Sequence, residues 1–488
     1  MLSHMAVAAS AARKAEELLL LYEQIAAELA EQIDAGRLRA GQRVPSVRRA
    51  SAQRGVSVAT VVQAYRLLES RGLLEARPQS GYYVASPRAG AVEEPRAPRA
   101  CSSAVSVSID EAVAEVYRAA IDPRVVQLGA ATIAPELRPT AALDRALRTV
   151  LRSAGARAYS YEMPPGALVL RRQLARRSIG WGCPLGPDDF LISVGASEAL
   201  HLALQAVTEP FDTVVVESPG YYGVLRLLEN LHLRVVEVPL GAQGMDLDAL
   251  RETLSQHRVR AVLSMPNFSN PAASLMPEAN KAALVKLLAE RGVPLIEDDV
   301  YGDLNHEGVR PRPAKAWDRN GLVLLCGSVS KTLAPGLRVG WVSAGRFRDR
   351  VEQLKFGQSE ATDTISQLVT AEFLENGGYD HHLRTLRRKL EEQVSTLRSL
   401  VAEHFPDTTR VSRPEGGHVL WVELPSRTDA FELSRLARAA GVSIVPGPLF
   451  SARARFKNFI RLNAGFPVTD RVAGAVQTLA RLVPRAAR

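Results

Sequence analysis

Hydrophobic residues near the start of the chain recur at every fourth position. The stripe consists of Leu21, Ile25, Leu29 and Ile33. Because an α-helix turns once every 3.6 residues, this spacing predicts an amphipathic helix with one buried face. Gly36 follows the stripe, and glycine commonly ends helices. Residues 1–17, which are rich in alanine, are predicted to be a flexible lead-in to this helix.

Capping and turn residues divide the following positions into short elements. Ser46 is an N-cap candidate for a short second helix, and Gly55-Val56-Ser57 predicts a tight turn with a new N-cap. The apolar face of the third helix consists of Val61, Tyr65 and Leu68. Alternation at Leu73–Glu75 and Tyr82–Val84 predicts two short strands joined by a turn. The order helix, helix, turn, helix, hairpin predicts a winged helix-turn-helix domain in residues 18–85.

After the hairpin the hydrophobic periodicity is lost over about 25 residues, and beyond them helical and strand-like patterns alternate. Residues 86–110 are rich in Pro, Ala, Arg, Glu and Ser without a period, which is typical of a linker. Beyond them, helical patterns such as Glu198–Thr208 and Glu278–Arg291 alternate with runs of strand length. The strand-like runs are Phe190–Val194, Thr213–Glu217, Arg234–Val238, Arg260–Met265, Leu295–Asp298 and Leu322–Cys326. The alternation predicts an α/β domain with a large, mainly parallel sheet in residues 111–379.

The last part of the chain has a different order of elements. Helices and strands there do not alternate regularly, which predicts a smaller α+β domain in residues 380–488. Its predicted elements are a long helix from about Asp380, a strand at Val419–Glu423, a helix from Asp429, and strands at Ser443–Val445 and Phe459–Leu462.

Composition excludes several classes of protein. The chain has 488 residues, of which 46% are hydrophobic, too many for a wholly disordered protein. No apolar run approaches the roughly 18 residues that a membrane-spanning helix needs. The first ten residues lack the basic and apolar segments of a signal peptide, so we expect a cytoplasmic protein. Cys101, Cys183 and Cys326 are far apart, so we expect neither a disulfide framework nor a metal site.

Positively charged residues are unevenly distributed along the chain. The whole chain has a net charge of +9, yet residues 36–88 contain ten arginines and only two glutamates, which leaves +8 in that segment. A short segment with this excess predicts a polyanionic partner such as double-stranded DNA. The candidate DNA-binding residues are Arg48 and Arg49 for phosphates, and Ser57, Thr60, Gln63 and Arg66 along the third helix.

The segment resembles the GntR-type winged helix-turn-helix domain. The resemblance rests on Leu-x-x-Gly-Gln-Arg-Val-Pro-Ser-Val-Arg-Arg, Gly-Val-Ser-Val-Ala-Thr-Val and Ala-Tyr-Arg-Leu-Leu-Glu, followed by Ser-Gly-Tyr-Tyr-Val in the wing. It covers residues 18–84. One position departs from the family, because Val58 stands where an arginine often follows the first residue of the recognition helix. Base recognition is therefore expected to depend more on Arg48, Thr60 and the wing.

Lysine is scarce, with eight lysines among 61 basic residues. Among them, Lys331 follows an apolar strand-like run and lies among small polar residues. A lysine that forms a Schiff base needs a desolvated site with anchors for the phosphate of its cofactor. Ser328, Ser330 and Arg338 offer hydroxyls and a guanidinium group for that purpose.

The segment from Ser328 to Arg338 resembles the Ser-x-Ser-Lys…Pro-Gly-Leu-Arg motif of fold-type I pyridoxal phosphate aminotransferases, especially the kynurenine/2-aminoadipate branch. Further motifs follow the family's order: Ser-Val-Gly-Ala-Ser-Glu-Ala-Leu, Glu-Ser-Pro-Gly-Tyr, Asn-Pro and Glu-Asp-Asp-Val-Tyr. The resemblance implies pyridoxal 5'-phosphate as cofactor. It assigns the backbone of Ala196 and Ser197 to the phosphate, Tyr221 to the ring face, Asp298 to the ring nitrogen, and Asn270 and Tyr301 to the phenolic oxygen.

Two further residues are assigned by the same resemblance. Tyr161 matches a tyrosine that reaches the cofactor phosphate of the neighbouring subunit, and Arg461 matches the arginine that pairs with the α-carboxylate of an amino acid. The chain departs from the family at Asn270-Pro271-Ala272-Ala273-Ser274, where Asn-Pro-Thr-Gly is usual. This departure is expected to loosen the turn.

The combination of the two domains resembles the MocR subfamily of transcriptional regulators. The resemblance implies a homodimer that binds promoter DNA and controls a metabolic operon. It also implies that an amino acid or amine effector, or pyridoxal phosphate itself, is sensed through a Schiff base on Lys331. Two alternatives stay open from sequence: an active aminotransferase with a regulatory DNA-binding head, and a lyase or racemase on the same fold.

Overall fold

A computed structural model describes residues 21–34, 37–38, 42–70, 73–77, 81–84, 93–100, 103–107, 113, 116, 118, 122, 124–376 and 378–487. The chain divides into two compact units, Met1–Ala91 and Val92–Arg488, which we call the head and the body. Within the described residues, no helix combines the length and the apolar character that crossing a membrane requires.

The head contains three helices followed by a hairpin. They are α1 (Leu21–Asp34), α2 (Val47–Arg54), α3 (Val58–Ser70), β1 (Leu74–Arg77) and β2 (Gly81–Val84). The Ser46 side chain accepts a hydrogen bond from the backbone N–H of Arg49, so it is the predicted N-cap of α2. Gly55 ends that helix with a left-handed φ of 64°, a conformation that costs glycine little. The strands pair antiparallel, as predicted.

The core of the head is formed by the faces that the hydrophobic pattern predicts. Its buried members include Ile25, Leu29, Val61, Tyr65 and Leu68, and the Tyr65 hydroxyl donates to the carbonyl of Pro45 at 2.8 Å. The predicted helix end at Gly36, most of the turn before β2 and the lead-in of residues 1–17 lie outside the described residues.

The first part of the body alternates strands with helices. Its elements are β3 (Val105–Ser106), β4 (Val126–Gln127), α4 (Thr140–Ala154), α5 (Leu168–Gly180), β5 (Leu191–Val194), α6 (Gly195–Val207), β6 (Thr213–Ser218), α7 (Tyr222–Asn230), β7 (Arg234–Gly241), β8 (Gly244–Met245), α8 (Leu247–Gln256), β9 (Val259–Ser264), α9 (Glu278–Arg291), β10 (Leu295–Asp298), β11 (Val323–Ser328), β12 (Val339–Ser343), α10 (Arg348–Ser359) and α11 (Thr364–Glu375).

The strands of this part form one sheet in the order β3-β7-β6-β9-β10-β11-β12-β5, with β8 beside β7. The five strands from β7 to β11 are parallel, so the predicted mainly parallel sheet is confirmed. Strand β12 runs antiparallel between β11 and β5 and was not predicted. All five of its residues are buried, so no alternation marks it in the sequence. Strands β5, β6, β10 and β11 consequently end at the same edge of the sheet.

The C-terminal part forms a second sheet. Its elements are α12 (Gly378–His404), β13 (Arg410–Val411), β14 (Val419–Glu423), α13 (Ala430–Ala439), β15 (Val442–Ser443), β16 (Val445–Pro446), β17 (Phe459–Asn463) and α14 (Asp470–Leu482). Strands pair in the order β13-β14-β17-β16, all antiparallel. The sheet and its helices bury Leu420, Ile460 and Leu479 completely. Asp429 caps α13 through the backbone N–H groups of Phe431 and Glu432.

Part of the segment predicted as a linker lies on the body. We call residues 93–100 and 103–107 the strap. Glu93 pairs with Arg410 at 2.6 Å, and the Glu93 carbonyl accepts from the backbone of Val411 at 3.0 Å. Farther along, β3 adds to the edge of the large sheet beside β7. The strap therefore contacts the small sheet through its first residues and the large sheet through its last.

Candidate functional site

A cavity of about 250 Å³ opens where β5, β6, β10 and β11 end. Ten residues predicted to hold the cofactor line it: Ala196, Ser197, Tyr221, Asn270, Asp298, Tyr301, Ser328, Ser330, Lys331 and Arg338. These residues are spread over more than 140 positions of the chain. They lie close together because the carboxyl ends of parallel strands meet at one edge of the large sheet. Tyr161 and Arg461 are not part of this lining.

One wall of the cavity is the start of α6. Ala196 and Ser197 lie in its first turn, where backbone N–H groups have no helical partner and favour an anion. Gly195 has a φ of +73°, and a Cβ there would lie 2.6 Å from the guanidinium of Arg338. That position therefore requires glycine. Arg338 donates to the carbonyl of Val194 at 3.1 Å, which holds its guanidinium beside the helix terminus.

Lys331 provides the amine of the cavity. Its Nζ donates to the carbonyl of Ala131 at 2.6 Å. Desolvation lowers the pKa of Lys331 to about 8, and the nearby Arg461 acts in the same direction, whereas Asp298 opposes it. A lysine with this pKa has a large neutral fraction near physiological pH and is a competent nucleophile.

Two carboxyl groups near the cavity are buried. Asp298 ends β10, and burial raises its pKa to about 7, while the backbone N–H of Val300 donates to it at 3.4 Å. Glu217 near the end of β6 is also buried, and burial raises its pKa to about 7 although Ser264 and the backbone of Met265 donate to it. Glu217 is the first residue of the Glu-Ser-Pro-Gly-Tyr motif, but the sequence assigned it no role.

Arg461 lies behind the cavity wall. It is completely buried, and its Nη1 donates to Asn270 Oδ1 at 2.9 Å. Its guanidinium also packs over Phe450, with Cζ 5.2 Å from the ring centre. Its Nε has no partner among the described residues. Burial raises the pKa of Tyr301, and the nearby Arg461 and Asn270 oppose this shift. The structure thus places three predicted residues close together.

The loop that carries Asn270 is closed rather than loose. Ala273 adopts a left-handed φ of 58°, the conformation for which the family's usual glycine is suited. The hydroxyls of Ser269 and Ser274 are 2.7 Å apart, and Ser269 Oγ accepts from the backbone of Ser274 at 3.1 Å. The expected loosening of the turn is therefore wrong, because two serines tie its ends.

A network that the sequence did not reveal supports the segment after β10. Arg310 pairs with Asp299 and, at 2.7 Å, with Asp303. Asp303 also accepts from the Tyr379 hydroxyl at 3.1 Å, so α12 is attached to the same network. These contacts fix the segment on both sides of Tyr301. The only signal for them in the sequence is the acidic run at Asp298 and Asp299, because the arginine that pairs with Asp299 is eleven positions away.

His418 is a further residue that sequence reasoning did not assign. Its ring lies edge-on to Tyr301 with 5.4 Å between ring centres, and its Nδ1 is 2.8 Å from Asn463 Oδ1. Burial lowers the pKa of His418 to about 3. The imidazole is therefore neutral at physiological pH and supports Tyr301 as a packing partner.

The head presents a basic surface around α2 and α3. Arg48, Arg49, Ser57, Gln63 and Arg66 are exposed, and Thr60 is half-buried. Ser57 Oγ accepts from the backbone of Thr60 at 3.1 Å and lies 2.7 Å from its hydroxyl. Both hydroxyls at the start of α3 therefore already have a hydrogen bond within the head.

Two of the ten arginines in the basic segment are balanced by acidic residues of α1. Arg54 pairs with Glu28 at 2.5 Å, and Arg37 pairs with Glu31 at 3.5 Å. Both glutamates precede the segment from which the charge of +8 was counted, so the sequence count overstates the free positive charge of the head.

Comparison with known proteins agrees with this geometry. Residues 21–84 match the family of bacterial regulatory proteins of the gntR type, and residues 131–473 match aminotransferase class I and II. The chain is 40% identical to the HTH-type transcriptional regulator YdcR of Escherichia coli, over 95% of this chain and 98% of that one. It is 35% identical to the HTH-type transcriptional regulator YjiR of the same organism, over 95% and 99%.

The body also matches solved structures. LysN, the α-aminoadipate aminotransferase of Thermus thermophilus, superposes with a TM-score of 0.71 and 29% identity, covering 77% of this chain and 95% of that one. The predicted fold class is thereby confirmed: an N-terminal helix-turn-helix domain precedes a fold-type I aminotransferase fold. The chain belongs to the MocR subfamily of GntR-type transcriptional regulators, in which a DNA-binding domain is joined to an aminotransferase-like domain.

Proposed function

We propose that this regulator carries pyridoxal 5'-phosphate in the cavity of its body and senses an amino acid or amine there to control a metabolic operon. The observation that supports this most is the composition of the cavity. It collects an amine, a helix N-terminus, two serine hydroxyls, a guanidinium and a buried carboxyl around one space. Together with Asn270 and Tyr301 these groups offer a partner to every polar atom of pyridoxal phosphate.

The cavity fits this cofactor in size and charge. Its volume of about 250 Å³ is close to the lower end of the roughly 300–1,000 Å³ found for small-molecule sites. Asp298 is 3% exposed and forms no ion pair with any described residue. A buried carboxyl of this kind is stabilised by a cation, and a protonated ring nitrogen would supply one.

The cofactor phosphate would lie at the start of α6. The backbone N–H groups of Ala196 and Ser197 would donate to it, together with the hydroxyls of Ser328 and Ser330. Arg338 would add a bidentate, charged partner. The packing of this guanidinium against Gly195 keeps it at the helix terminus, where the helix dipole also favours an anion.

The remaining residues would hold the ring. Asp298 would keep the ring nitrogen protonated, Asn270 and Tyr301 would donate to the phenolic oxygen, Tyr221 would cover the ring face, and Lys331 would hold the aldehyde carbon. When bound, the cofactor supplies an aldehyde that condenses with amines and a ring that withdraws electrons. The LysN structure was solved with N-(5'-phosphopyridoxyl)-L-leucine, which supports this assignment.

Arg461 would receive the carboxylate of an amino acid effector. The Nε of its buried guanidinium has no partner among the described residues, so the group retains a donor for an incoming anion. Because Nη1 is already bonded to Asn270, an effector carboxylate would compete for a group that is linked to the residues around the ring. Effector binding would thereby change the contacts of Asn270 and Tyr301.

A homodimer completes the proposal. Tyr161 is 76% exposed and Tyr159 is 78% exposed, and the neighbouring Met163 is exposed as well. Three large apolar side chains in one exposed stretch favour a protein contact. A second copy of the chain would cover them, and Tyr161 would then contribute to the cofactor phosphate of the partner subunit.

The head would bind promoter DNA. Arg48 and Arg49 form no ion pair with any residue that the structure describes, and would therefore be free to contact phosphates. Ser57, Thr60, Gln63 and Arg66 would face base edges from the recognition helix α3.

We expect a conformational change at the cavity to be transmitted to the head through the strap. Its first residues are bound to β13 and β14 by the Glu93–Arg410 pair and by the bond from the Arg96 backbone to Glu423, which measures 3.2 Å. Its last residues are bound to β7. A movement of the small sheet relative to the large one would consequently shift the segment that leads to the head.

The experiment that tests the cofactor combines spectroscopy with chemical trapping. Full-length protein is incubated with pyridoxal phosphate, its visible absorption is recorded, and the complex is reduced with borohydride before peptide mass spectrometry. We expect an absorption band and a pyridoxyl group on Lys331, both absent from Lys331→Ala. The exposed Lys286→Ala is the matched control and should behave as the parent protein. A band of full strength in Lys331→Ala would contradict the assignment.

A second measurement separates regulation from turnover. The upstream region of the gene is footprinted with the apoprotein, with cofactor alone, and with cofactor plus individual amino acids and amines. A regulator is expected to change its footprint with one of these additions, and the cofactor-only arm identifies pyridoxal phosphate itself as the effector. Amino group transfer to an oxo acid at enzyme-like rates with an unchanged footprint would favour an active aminotransferase.

A further inference from the structure

The recognition helix carries two apolar side chains beside its buried face that do not belong to the core of the head. Val58, the first residue of α3, is 49% exposed. Val62 lies four positions later, on the same face of the helix, and is partly exposed. Within the described head, neither residue belongs to the apolar core that Val61, Tyr65 and Leu68 form from the adjacent side of α3.

The polar groups next to Val58 are already occupied. Ser57 Oγ caps the helix by accepting from the backbone of Thr60, and its oxygen lies 2.7 Å from the Thr60 hydroxyl. A base contact from either hydroxyl would have to share or replace this bond. The group that projects without a hydrogen bond from the N-terminal end of α3 is therefore the isopropyl group of Val58.

The setting of this apolar group points to DNA rather than to another protein. The exposed arginines Arg48 and Arg49 precede it, and the exposed Gln63 and Arg66 follow it. A basic surface with a small apolar centre suits the major groove, where the phosphates flank the bases. Among the four bases, only thymine presents a methyl group in that groove.

We propose that Val58, with Val62 one turn later, contacts thymine methyl groups and so determines part of the operator sequence. The proposal rests on the DNA-binding function proposed above. Four residues span about 6 Å along a helix axis, which is close to two base-pair steps of 3.4 Å each. The two valines are therefore expected to contact thymines one or two base pairs apart.

Thymine and uracil differ only in this methyl group, which makes the test direct. The operator is first selected from a library of random double-stranded DNA with the full-length protein. Each thymine of the selected operator is then replaced by deoxyuridine, one position at a time, and the affinity is measured at fixed salt. We expect about fourfold weaker binding at one or two positions in each half-site. This arm uses the unaltered protein, so it does not depend on the folding of a variant.

A variant then assigns the contact to Val58. In Val58→Ala, the thymine and deoxyuridine operators should bind equally at the position that Val58 contacts, while the remaining sensitive position keeps its fourfold difference. Leu21→Ala is the matched control, because Leu21 is 52% exposed on α1 of the same head and should leave both differences unchanged.

The outcomes distinguish this inference from the function on which it rests. Selection of an operator that binds equally well with deoxyuridine at every position would overturn the methyl contact and leave DNA binding intact. A sensitive position that persists in Val58→Ala would show that another residue makes the contact, and would overturn the assignment. Failure to enrich any sequence would overturn DNA binding itself, and the inference with it.

Discussion

Arg461 and Asn270 are 191 positions apart in the chain and are joined by a hydrogen bond of 2.9 Å between Nη1 and Oδ1. The bond connects β17 of the small sheet with the loop after β9 of the large sheet. A residue proposed to bind the effector is therefore in direct contact with a residue proposed to bind the cofactor, and a change at one is expected to reach the other.

Replacing Arg461 by lysine should separate effector binding from cofactor binding. The lysine keeps one positive charge but cannot donate to Asn270, the carbonyl of Gly129 and a carboxylate together. We expect the affinity for the effector to fall about 10- to 100-fold, which corresponds to one charged hydrogen bond, while pyridoxal phosphate still binds. Titrations of each ligand by absorption measure both. The exposed Arg427→Lys should change neither, and an equal loss in the two affinities would contradict the assignment.

Replacing Ala273 by glycine should stabilise the body. Alanine with a left-handed φ of 58° is strained by about 1 kcal/mol relative to glycine, and part of this gain is offset by the greater freedom of glycine in the unfolded chain. We expect a net stabilisation of about 0.5 kcal/mol, measured by urea denaturation of the full chain. Ala272→Gly, at the neighbouring position with no positive φ, should destabilise instead. Equal effects of the two variants would show that the strain is absent.

Cofactor attachment should depend on pH through Lys331. Only the neutral amine attacks an aldehyde, and the pKa of Lys331 is lowered to about 8. The attachment rate should therefore rise with pH and reach half its maximum near pH 8, instead of near the value of about 10.4 for an ordinary lysine. Stopped-flow absorption between pH 6 and 10 measures this, with a lysine-containing peptide as the reference. A midpoint equal to that of the peptide would mean that the cavity does not desolvate the amine.

Arg48 and Arg37 should contribute unequally to DNA binding although both lie in the basic segment. Arg37 is paired with Glu31, whereas Arg48 has no ion pair with the described residues. Arg48→Gln should weaken binding and reduce the slope of log affinity against log salt by about 1. Arg37→Gln should change that slope less, because the Arg37 guanidinium is already paired with a carboxylate and is not expected to neutralise a phosphate. Identical slopes for the two variants would indicate that Arg48 does not contact a phosphate.

Local patterns predicted most elements and most of the cavity. The cap at Ser46, the buried face of α3 and the strand ends that carry Asp298 and Ser328 are each visible within a few residues, because capping and strand burial depend on near neighbours. The large sheet edge then brings ten predicted residues together.

Helix α14 also carries a helical pattern at Val472 and Val476 but was not among the predicted elements.

Three other features that were not predicted depend on long-range contacts. The Glu28–Arg54 pair joins two helices of the head. Strand β12 has no alternation, because both of its faces are buried. The burial of Arg461 behind Asn270 follows from the packing of one sheet against another, which no local spacing reveals.

The position of the strap determines where the DNA-binding domain of this protein can be exchanged for another. A domain exchange that joins a foreign DNA-binding domain after residue 107 would delete the Glu93–Arg410 pair and the β3 edge strand, and would leave β7 with an uncovered edge. A junction between Val84 and Glu93 keeps every one of these contacts with the body. The same interval is where recombination could have replaced one DNA-reading domain by another without disturbing the sensor.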